Sequence, residues 1–147
     1  MKHIIKDLKV KGITLTPQRM AIIEFLKNNF NHPTAEDIYK ALEEKYPSMS
    51  IATVYSTLEL LKANGYIQEL SIRKRGKACF DFNSKNHHHF LCLNCDNIID
   101  IESECINTCP IVKAGQLEGC KVGEIQAYLY GLCSNCNKKD IKKNNKK

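Results

Sequence analysis

Two Cys-x-x-Cys pairs, Cys92/Cys95 and Cys133/Cys136, constrain the fold of this chain more than any other feature. The backbone between two such cysteines turns so that both thiolates can point at one ion, and two pairs supply the four sulfurs of a closed tetrahedral zinc site. Because the pairs lie far apart in the sequence, the metal would clip one end of a domain to the other. The sequence therefore predicts a structural Zn²⁺ site with four cysteine ligands.

The same motif is typical of thiol–disulfide oxidoreductases, in which it opens a helix after a strand of a βαβ unit. Neither pair has that context, so thiol redox chemistry is the alternative from a different functional class. A nucleic-acid-binding zinc module without a sensing role is a further alternative. The other four cysteines are interpreted as small buried hydrophobic residues. They are Cys79, Cys105, Cys109 and Cys120.

Charge is spread unevenly along the 147 residues, whose net charge is +6. Basic segments at 1–82 and 137–147 flank an acidic segment rich in cysteine and histidine at 83–136. This arrangement suits a polyanion-binding first half and a cation-binding second half. The N-terminus lacks the features of a signal peptide, and no apolar run approaches the roughly 20 residues that cross a bilayer. We therefore expect a cytoplasmic protein without a membrane segment.

The first half carries three helix starts, at Thr16-Pro17, Thr34 and Ser50, each followed by apolar residues at helical spacing. The third helix is expected to end at the glycine cap Asn64-Gly65, and a weaker helix is expected over 4–10. The pattern then changes to two predicted strands, 66–72 and 77–82, whose connection Arg73-Lys74-Arg75-Gly76 is cationic. Helices followed by such a hairpin describe a winged helix-turn-helix, in which the third of these helices enters the major groove of DNA.

The polar stretch 83–86 is predicted to be a hinge. In the second half we expect strands over 88–92, 97–101 and 120–131, the last with Leu129 among its core-facing residues, and a helix over 104–118. The basic tail, 138–147, is expected to be disordered.

Histidines precede the first cysteine pair. In an extended strand His87 and His89 would share one face, while the histidine between them points away. Spacing leaves the remaining ligands open, with Asp81, Asp100 and His32 as candidates. Three imidazole nitrogens and two carboxylate oxygens would suit Fe(II) or Mn(II) better than a closed zinc site. If His32 took part, metal binding would fix the first half of the chain against the second.

These motifs resemble those of the ferric uptake regulator (Fur) family, in order, over about residues 5 to 137. The resemblance implies an α+β protein with a winged-helix DNA-binding domain at 1–82 and an α/β dimerisation and metal-binding domain at 87–137. It also implies a homodimer that represses transcription at inverted-repeat operators in double-stranded DNA when its regulatory metal is bound. We accordingly expect neither an enzyme nor a protein with a small organic substrate. The matching stretches are Leu15-Thr16-Pro17-Gln18-Arg19, His32-Pro33-Thr34-Ala35-Glu36-Asp37-Ile38-Tyr39, Ser50-Ile51-Ala52-Thr53-Val54-Tyr55 and the two cysteine pairs.

Within the family, the sequence is most similar to the peroxide-sensing branch, because both carboxylates are Asp where iron-sensing members commonly carry Glu. The resemblance implies that bound Fe(II) reduces hydrogen peroxide, that oxygen is added to His32 or His87, and that the dimer then leaves DNA. Mn(II) would support repression without this oxidation. Zinc or iron uptake regulation is the alternative within the family, and Cys79, two residues before Asp81, is the feature that favours zinc. The implied regulatory ligands are His32, Asp81, His87, His89 and Asp100.

Motif position places the recognition helix at about 51–64, with base contacts expected near its N-terminal end. Basic residues at the start of the domain and in the wing are expected to contact phosphate or the minor groove. The predicted DNA contacts are Lys9, Lys11, Arg19, Ala52, Thr53, Tyr55, Ser56, Arg73 and Arg75.

Overall fold

The computed structural model describes residues 2–29, 31–72, 76–82, 87–102, 110, 117–123 and 125–144. The chain divides into two compact units, Met1–Ser84 and Lys85–Lys147, which we call unit 1 and unit 2. No helix among the described residues is both long enough and apolar enough to cross a membrane.

Unit 1 begins with four helices, and the three predicted N-caps are confirmed. Thr16 accepts a hydrogen bond from the backbone of Arg19, Thr34 forms a capping box with Asp37, and Ser50 accepts from Thr53. Each cap satisfies an N–H group that the first helical turn leaves without an intrahelical partner. The helices are α1 (Lys2–Val10), α2 (Pro17–Asn28), α3 (Ala35–Leu42) and α4 (Ile51–Ala63).

The apolar faces of these helices form one core. Every helix contributes to it, and Phe80 adds a side chain from the strand that follows. Burial of such side chains is the main favourable term in the folding of a unit of this size. The fully or almost fully buried members include Leu8, Ile22, Ile23, Leu26, Ile38, Val54, Leu58 and Leu61.

The predicted hairpin is present, with shorter strands than expected. Strand β1 (Gln68–Leu70) pairs antiparallel with β2 (Cys79–Asp81), and Leu70 lies opposite Cys79. Residues 73–75 lie outside the described residues, so the predicted contacts of Arg73 and Arg75 stay predictions. Four helices with this strand pair make unit 1 a winged helix-turn-helix.

Unit 2 contains a three-stranded sheet in the order β4-β3-β5. Strand β3 (His88–Cys92) runs antiparallel to β4 (Ile98–Ile101) and parallel to β5 (Tyr128–Gly131). A final helix, α5, spans Ser134–Asn144. Among the described residues of the strand predicted over 120–131, the last four form a strand and the others do not. Most of the helix predicted over 104–118 lies outside the described part of the chain.

Two expectations for unit 2 are wrong. The tail predicted to be disordered from 138 is helical through Asn144. The reason is local: α5 starts inside the second cysteine pair, where the Asn137 amide donates to the Cys133 carbonyl at 2.9 Å, and lysine-rich sequence continues a helix readily. Leu129, expected to face a core, is 45% exposed, and Ile99 is 41% exposed. Ile99 and Leu129 lie directly opposite Phe90 on the two neighbouring strands, so the three side chains share one face of the sheet.

Candidate metal centres and nucleic-acid interface

The four cysteines predicted to bind zinc lie together in unit 2. Their sulfur atoms are all within 4.8 Å of one another. Parallel pairing explains the approach, because Cys92, the last residue of β3, lies beside Gly131, and Cys133 follows two residues later, directly before α5. Cys95 lies in the turn after β3, with its sulfur 3.9 Å from that of Cys133. Four thiolates at this separation suit a tetrahedral zinc ion.

Backbone and side-chain amides support these sulfurs. The Cys133 amide and the Asn94 side chain donate to the sulfurs of Cys92 and Cys136, each at 3.2 Å. Chiefly because of the donated Cys133 hydrogen bond, the pKa of the Cys92 thiol falls to about 6. The hydrogen bond from the Asn97 amide lowers the pKa of Cys95. Hydrogen bonds with the other three cysteine sulfurs, together with burial, have the larger effect and raise that pKa to about 12. The cluster therefore already favours a thiolate, the form that binds metal.

A second group of ligand-type side chains lies around Asp100 in unit 2. Its carboxylate oxygen is 3.7 Å from His87 Nε2 and 3.8 Å from His89 Nε2. The register explains this geometry, because His89 lies directly opposite Asp100 in the β3/β4 pair, and alternate residues of an extended chain share a face. Both imidazoles are buried, with 4.4 Å between ring centroids. The histidine between them, His88, has a different role and accepts a hydrogen bond from the Ala127 amide at 3.3 Å.

A matching pair lies in unit 1, where His32 Nε2 is 4.0 Å from Asp81 Oδ1 and both residues are buried. Strand β2 runs beside the segment before α3. The Phe80 amide donates to the Pro33 carbonyl at 2.9 Å, and Thr34 forms an isolated antiparallel β-bridge with Cys79. His32 has a φ of +50°, a conformation that a non-glycine residue adopts rarely and at an energetic cost. Such strain is concentrated at functional positions in proteins.

Each unit thus holds imidazole beside carboxylate, a donor combination suited to a divalent transition metal such as Fe(II) or Mn(II). The mixed set differs from the all-sulfur cluster, which is closed and suits zinc. The two predicted kinds of metal centre therefore have distinct chemistry in this chain.

The remaining cysteines differ from one another. Cys79 is fully buried, as interpreted from the sequence. Cys120 is exposed, so its interpretation as a buried residue is wrong; it lies in a surface turn in which its amide donates to the Leu117 carbonyl. Cys105 and Cys109 lie outside the described residues.

The predicted recognition helix is α4. Ala52, Tyr55 and Ser56 are exposed near its N-terminal end, and Thr53 is half-buried. The Thr53 hydroxyl lies 3.0 Å from that of Ser50, so it takes part in the helix cap. An exposed surface rich in hydroxyl groups at the start of such a helix suits contacts with base edges and phosphates.

The predicted cationic contacts have different surroundings. Lys9 is exposed on α1. The Lys11 ammonium lies 2.9 Å from the Asp7 carboxylate and 3.1 Å from the Asn64 side chain, so its charge is largely balanced within unit 1. Arg19 donates to the Thr14 carbonyl at 2.7 Å.

One polar group at this surface is not evident from the sequence. The Glu36 carboxylate contacts both Tyr55 on α4 and Lys77 before β2. No spacing rule brings together residues from three separate segments, so only the packing of α3 against α4 and the hairpin reveals it.

Comparison with known proteins agrees with this architecture. The model of the ferric uptake regulator family matches residues 10–130. The peroxide operon regulator of Bacillus subtilis is 40% identical over 140 residues, which cover 95% of each protein. The ferric uptake regulator Fur of Helicobacter pylori has a similar fold, with a TM-score of 0.78 at 21% identity and coverage of 92% of this chain and 90% of that one. PerR of Streptococcus pyogenes matches with a TM-score of 0.54 at 32% identity, covering 91% and 90%. With its winged helix-turn-helix, its four-cysteine cluster and its grouped histidines and carboxylates, the chain belongs to the ferric uptake regulator family of metal-dependent transcriptional regulators.

Proposed function

We propose that this protein is a repressor that binds operator DNA as a homodimer carrying Fe(II) or Mn(II), and that hydrogen peroxide releases it by oxidising a histidine ligand. The observation that carries the proposal is the grouping of His87 and His89 around the Asp100 carboxylate. Buried imidazoles beside a carboxylate are an expensive arrangement unless a cation or proton is held there. A divalent ion held by this group would offset that cost.

The regulatory ion would take His32 and Asp81 from unit 1 and the His87, His89 and Asp100 group from unit 2. One ion bonded to both units would restrict how they are placed, and thereby link metal occupancy to the position of the recognition helix. Cys92, Cys95, Cys133 and Cys136 would hold a permanent Zn²⁺ ion.

Peroxide sensing is supported by the aspartates at 81 and 100 and by the 40% identity to a protein named a peroxide operon regulator. Bound Fe(II) would catalyse the reduction of hydrogen peroxide beside the ligands, with the imidazole of His32 or His87 as the net two-electron donor. One peroxide oxygen would be added at an imidazole carbon and the other would leave as water, and the oxidised ring would bind metal less well. Loss of that ligand would free one unit from the other, and the dimer would leave DNA in the cytoplasm.

The homodimer is supported by the sheet of unit 2. Ile99 and Leu129, both more than 40% exposed, flank Phe90 on one face, and apolar patches of this kind mark protein contacts. A twofold dimer presents two recognition helices related by symmetry, so its operator in double-stranded DNA would be an inverted repeat.

The test is to load the zinc-containing protein with Fe(II), expose it to low peroxide and map peptides for a mass gain of one oxygen atom. We expect that gain on His32 or His87, together with release from DNA, and we expect Asp100→Glu to suppress it. Mn(II)-loaded protein is the matched control and should remain unmodified. Release from DNA with both histidines intact would contradict the proposal.

Zinc sensing is the second candidate, because Cys79 is fully buried on β2 two residues before Asp81 and shares its strand face. Under this alternative, Cys79→Ser would abolish metal-dependent DNA binding. Under the peroxide proposal, the same variant keeps it.

A further inference from the structure

Glu36 joins three segments of the winged-helix unit through one carboxylate oxygen. Tyr55 on α4 donates its phenol hydroxyl to Glu36 Oε1 at 3.3 Å, and the Lys77 ammonium lies 2.6 Å from the same oxygen. Glu36 itself lies in the first turn of α3. The Lys77 hydrogen bond lowers the pKa of the Glu36 carboxyl, so Glu36 is ionised at neutral pH.

We propose that Glu36 is a positioning residue that raises the sequence discrimination of the protein, because it orients Tyr55 for base contact and withholds Lys77 from phosphate. This inference rests on the proposed binding of operator DNA through α4. Glu36 would therefore lower the overall affinity for DNA while it raises the preference for particular sequences.

The Tyr55 arm follows from geometry. Tyr55 is 44% exposed on the recognition helix, and a tyrosine ring has only two side-chain torsions to fix. A hydrogen bond to an acceptor on a different helix restricts the ring to one direction. Orientation before binding reduces the entropy lost on contact with a particular base, so the correct sequence benefits most.

The Lys77 arm follows from charge. Lys77 stands at the base of the wing, and its side chain is 64% exposed. A free ammonium at this surface would bind backbone phosphate, which strengthens binding to every sequence and carries no sequence information. Paired with Glu36, the lysine contributes little net charge to the DNA-binding surface.

The experiment uses full-length, zinc-containing protein loaded with Mn(II). Its probes are a duplex that the wild-type protein selects from a random library and a scrambled duplex of the same length. Glu36→Gln keeps the shape of the side chain and removes its charge. We expect the slope of log affinity against log salt on the scrambled duplex to steepen by about 0.9, the value of one added phosphate contact. Glu36→Ala also removes the oxygen that accepts the Tyr55 hydrogen bond, and we expect this variant to lower the preference for the selected duplex on the order of tenfold, as for one lost base contact.

Two further variants separate the arms. Lys77→Ala added to Glu36→Gln should return the salt slope to its wild-type value, whereas a slope that stays steep means that Lys77 is not the released group and overturns that arm. Tyr55→Phe should lower the preference for the selected duplex without changing the slope, and an unchanged preference overturns the Tyr55 arm. Glu24→Gln, an exposed substitution on α2 with the same change of charge, is the control and should alter neither quantity.

An unchanged slope in Glu36→Gln together with an unchanged preference in Glu36→Ala would overturn the inference while leaving the proposed repressor intact. A wild-type protein that selects no sequence would instead count against the proposed function.

Discussion

Removal of zinc from the four-cysteine cluster should unfold unit 2 and leave unit 1 folded. The large buried hydrophobic cluster lies wholly in unit 1. Among the described residues of unit 2, the buried apolar side chains are Leu91, Cys92 and Cys136, and two of these are predicted zinc ligands. Because apolar burial among the described residues of unit 2 is so limited, we expect this unit to need the metal for its stability.

The size of the effect follows from the loop that the zinc closes. Treated as a cross-link between Cys95 and Cys133, the metal closes a loop of about 38 residues, which corresponds to about 4 kcal/mol at 25 °C in the chain-entropy model. For a unit of this size each kcal/mol shifts the melting temperature by about 4–8 °C, so we expect a fall of about 15–30 °C. That is comparable with the whole stability of many small domains, about 5 kcal/mol at the low end.

Hydrogen exchange with mass spectrometry measures this unit by unit. After chelation under reducing conditions, peptides that contain Leu91 or Tyr128–Gly131 should lose protection, while Leu58 in α4 keeps it. Added zinc should restore the protection. Cys136→Ser should behave like the chelated protein, and Cys120→Ser, which changes an exposed cysteine outside the cluster, should behave like the wild type.

Two results would refute this reasoning. Full protection of β3 in zinc-free protein would mean that other contacts hold the sheet together. Simultaneous loss of protection in both units would mean that they do not fold independently.

Two other predictions concern single side chains. Asp100→Asn should lower the affinity for Mn(II) by at least about 100-fold, because loss of a residue that only hydrogen-bonds to a metal ligand already lowers affinity by up to that factor. The variant should still bind one zinc ion per chain. An unchanged Mn(II) titration would show that Asp100 is not a ligand. Tyr66 donates a hydrogen bond to Asp7, which raises the pKa of the Tyr66 phenol to about 12 from 10.0. The folded state therefore holds this proton more tightly, so the stabilisation is complete below pH 10 and is lost as the pH rises through about 12. Thermal melts of Tyr66→Phe should show a smaller loss between those pH values than wild-type melts, and parallel curves would contradict the assignment.

Local chemistry explains what was predictable in unit 1. An N-cap depends on one side chain and the next three amides, so Thr16, Thr34 and Ser50 located three helices from sequence alone. The same locality holds for each cysteine pair. The grouping of the two pairs, in contrast, depends on the parallel register of β3 and β5, which no short motif encodes.

The candidate regulatory site was only partly predictable for a related reason. Alternation along one strand is local and placed His87 and His89 on one face, but the partner of that face is set by the register of β4. Spacing left Asp100 as one candidate among several until family resemblance favoured it. Glu36 had no local signal, because its partners lie 19 and 41 residues away along the chain.

Leu129 illustrates a different limit. Alternating apolar residues predict that a strand face avoids water, yet they do not identify what covers that face. In unit 2 the row of Ile99, Phe90 and Leu129 crosses all three strands, and its outer members remain more than 40% exposed. A second copy of the chain placed on this row would remove the same side chains from water that the sequence pattern assigned to a core. The alternating pattern would then be right that this face of the strand avoids water, but the surface that covers Leu129 would come from a second chain. The pattern is in this way an argument for the proposed homodimer.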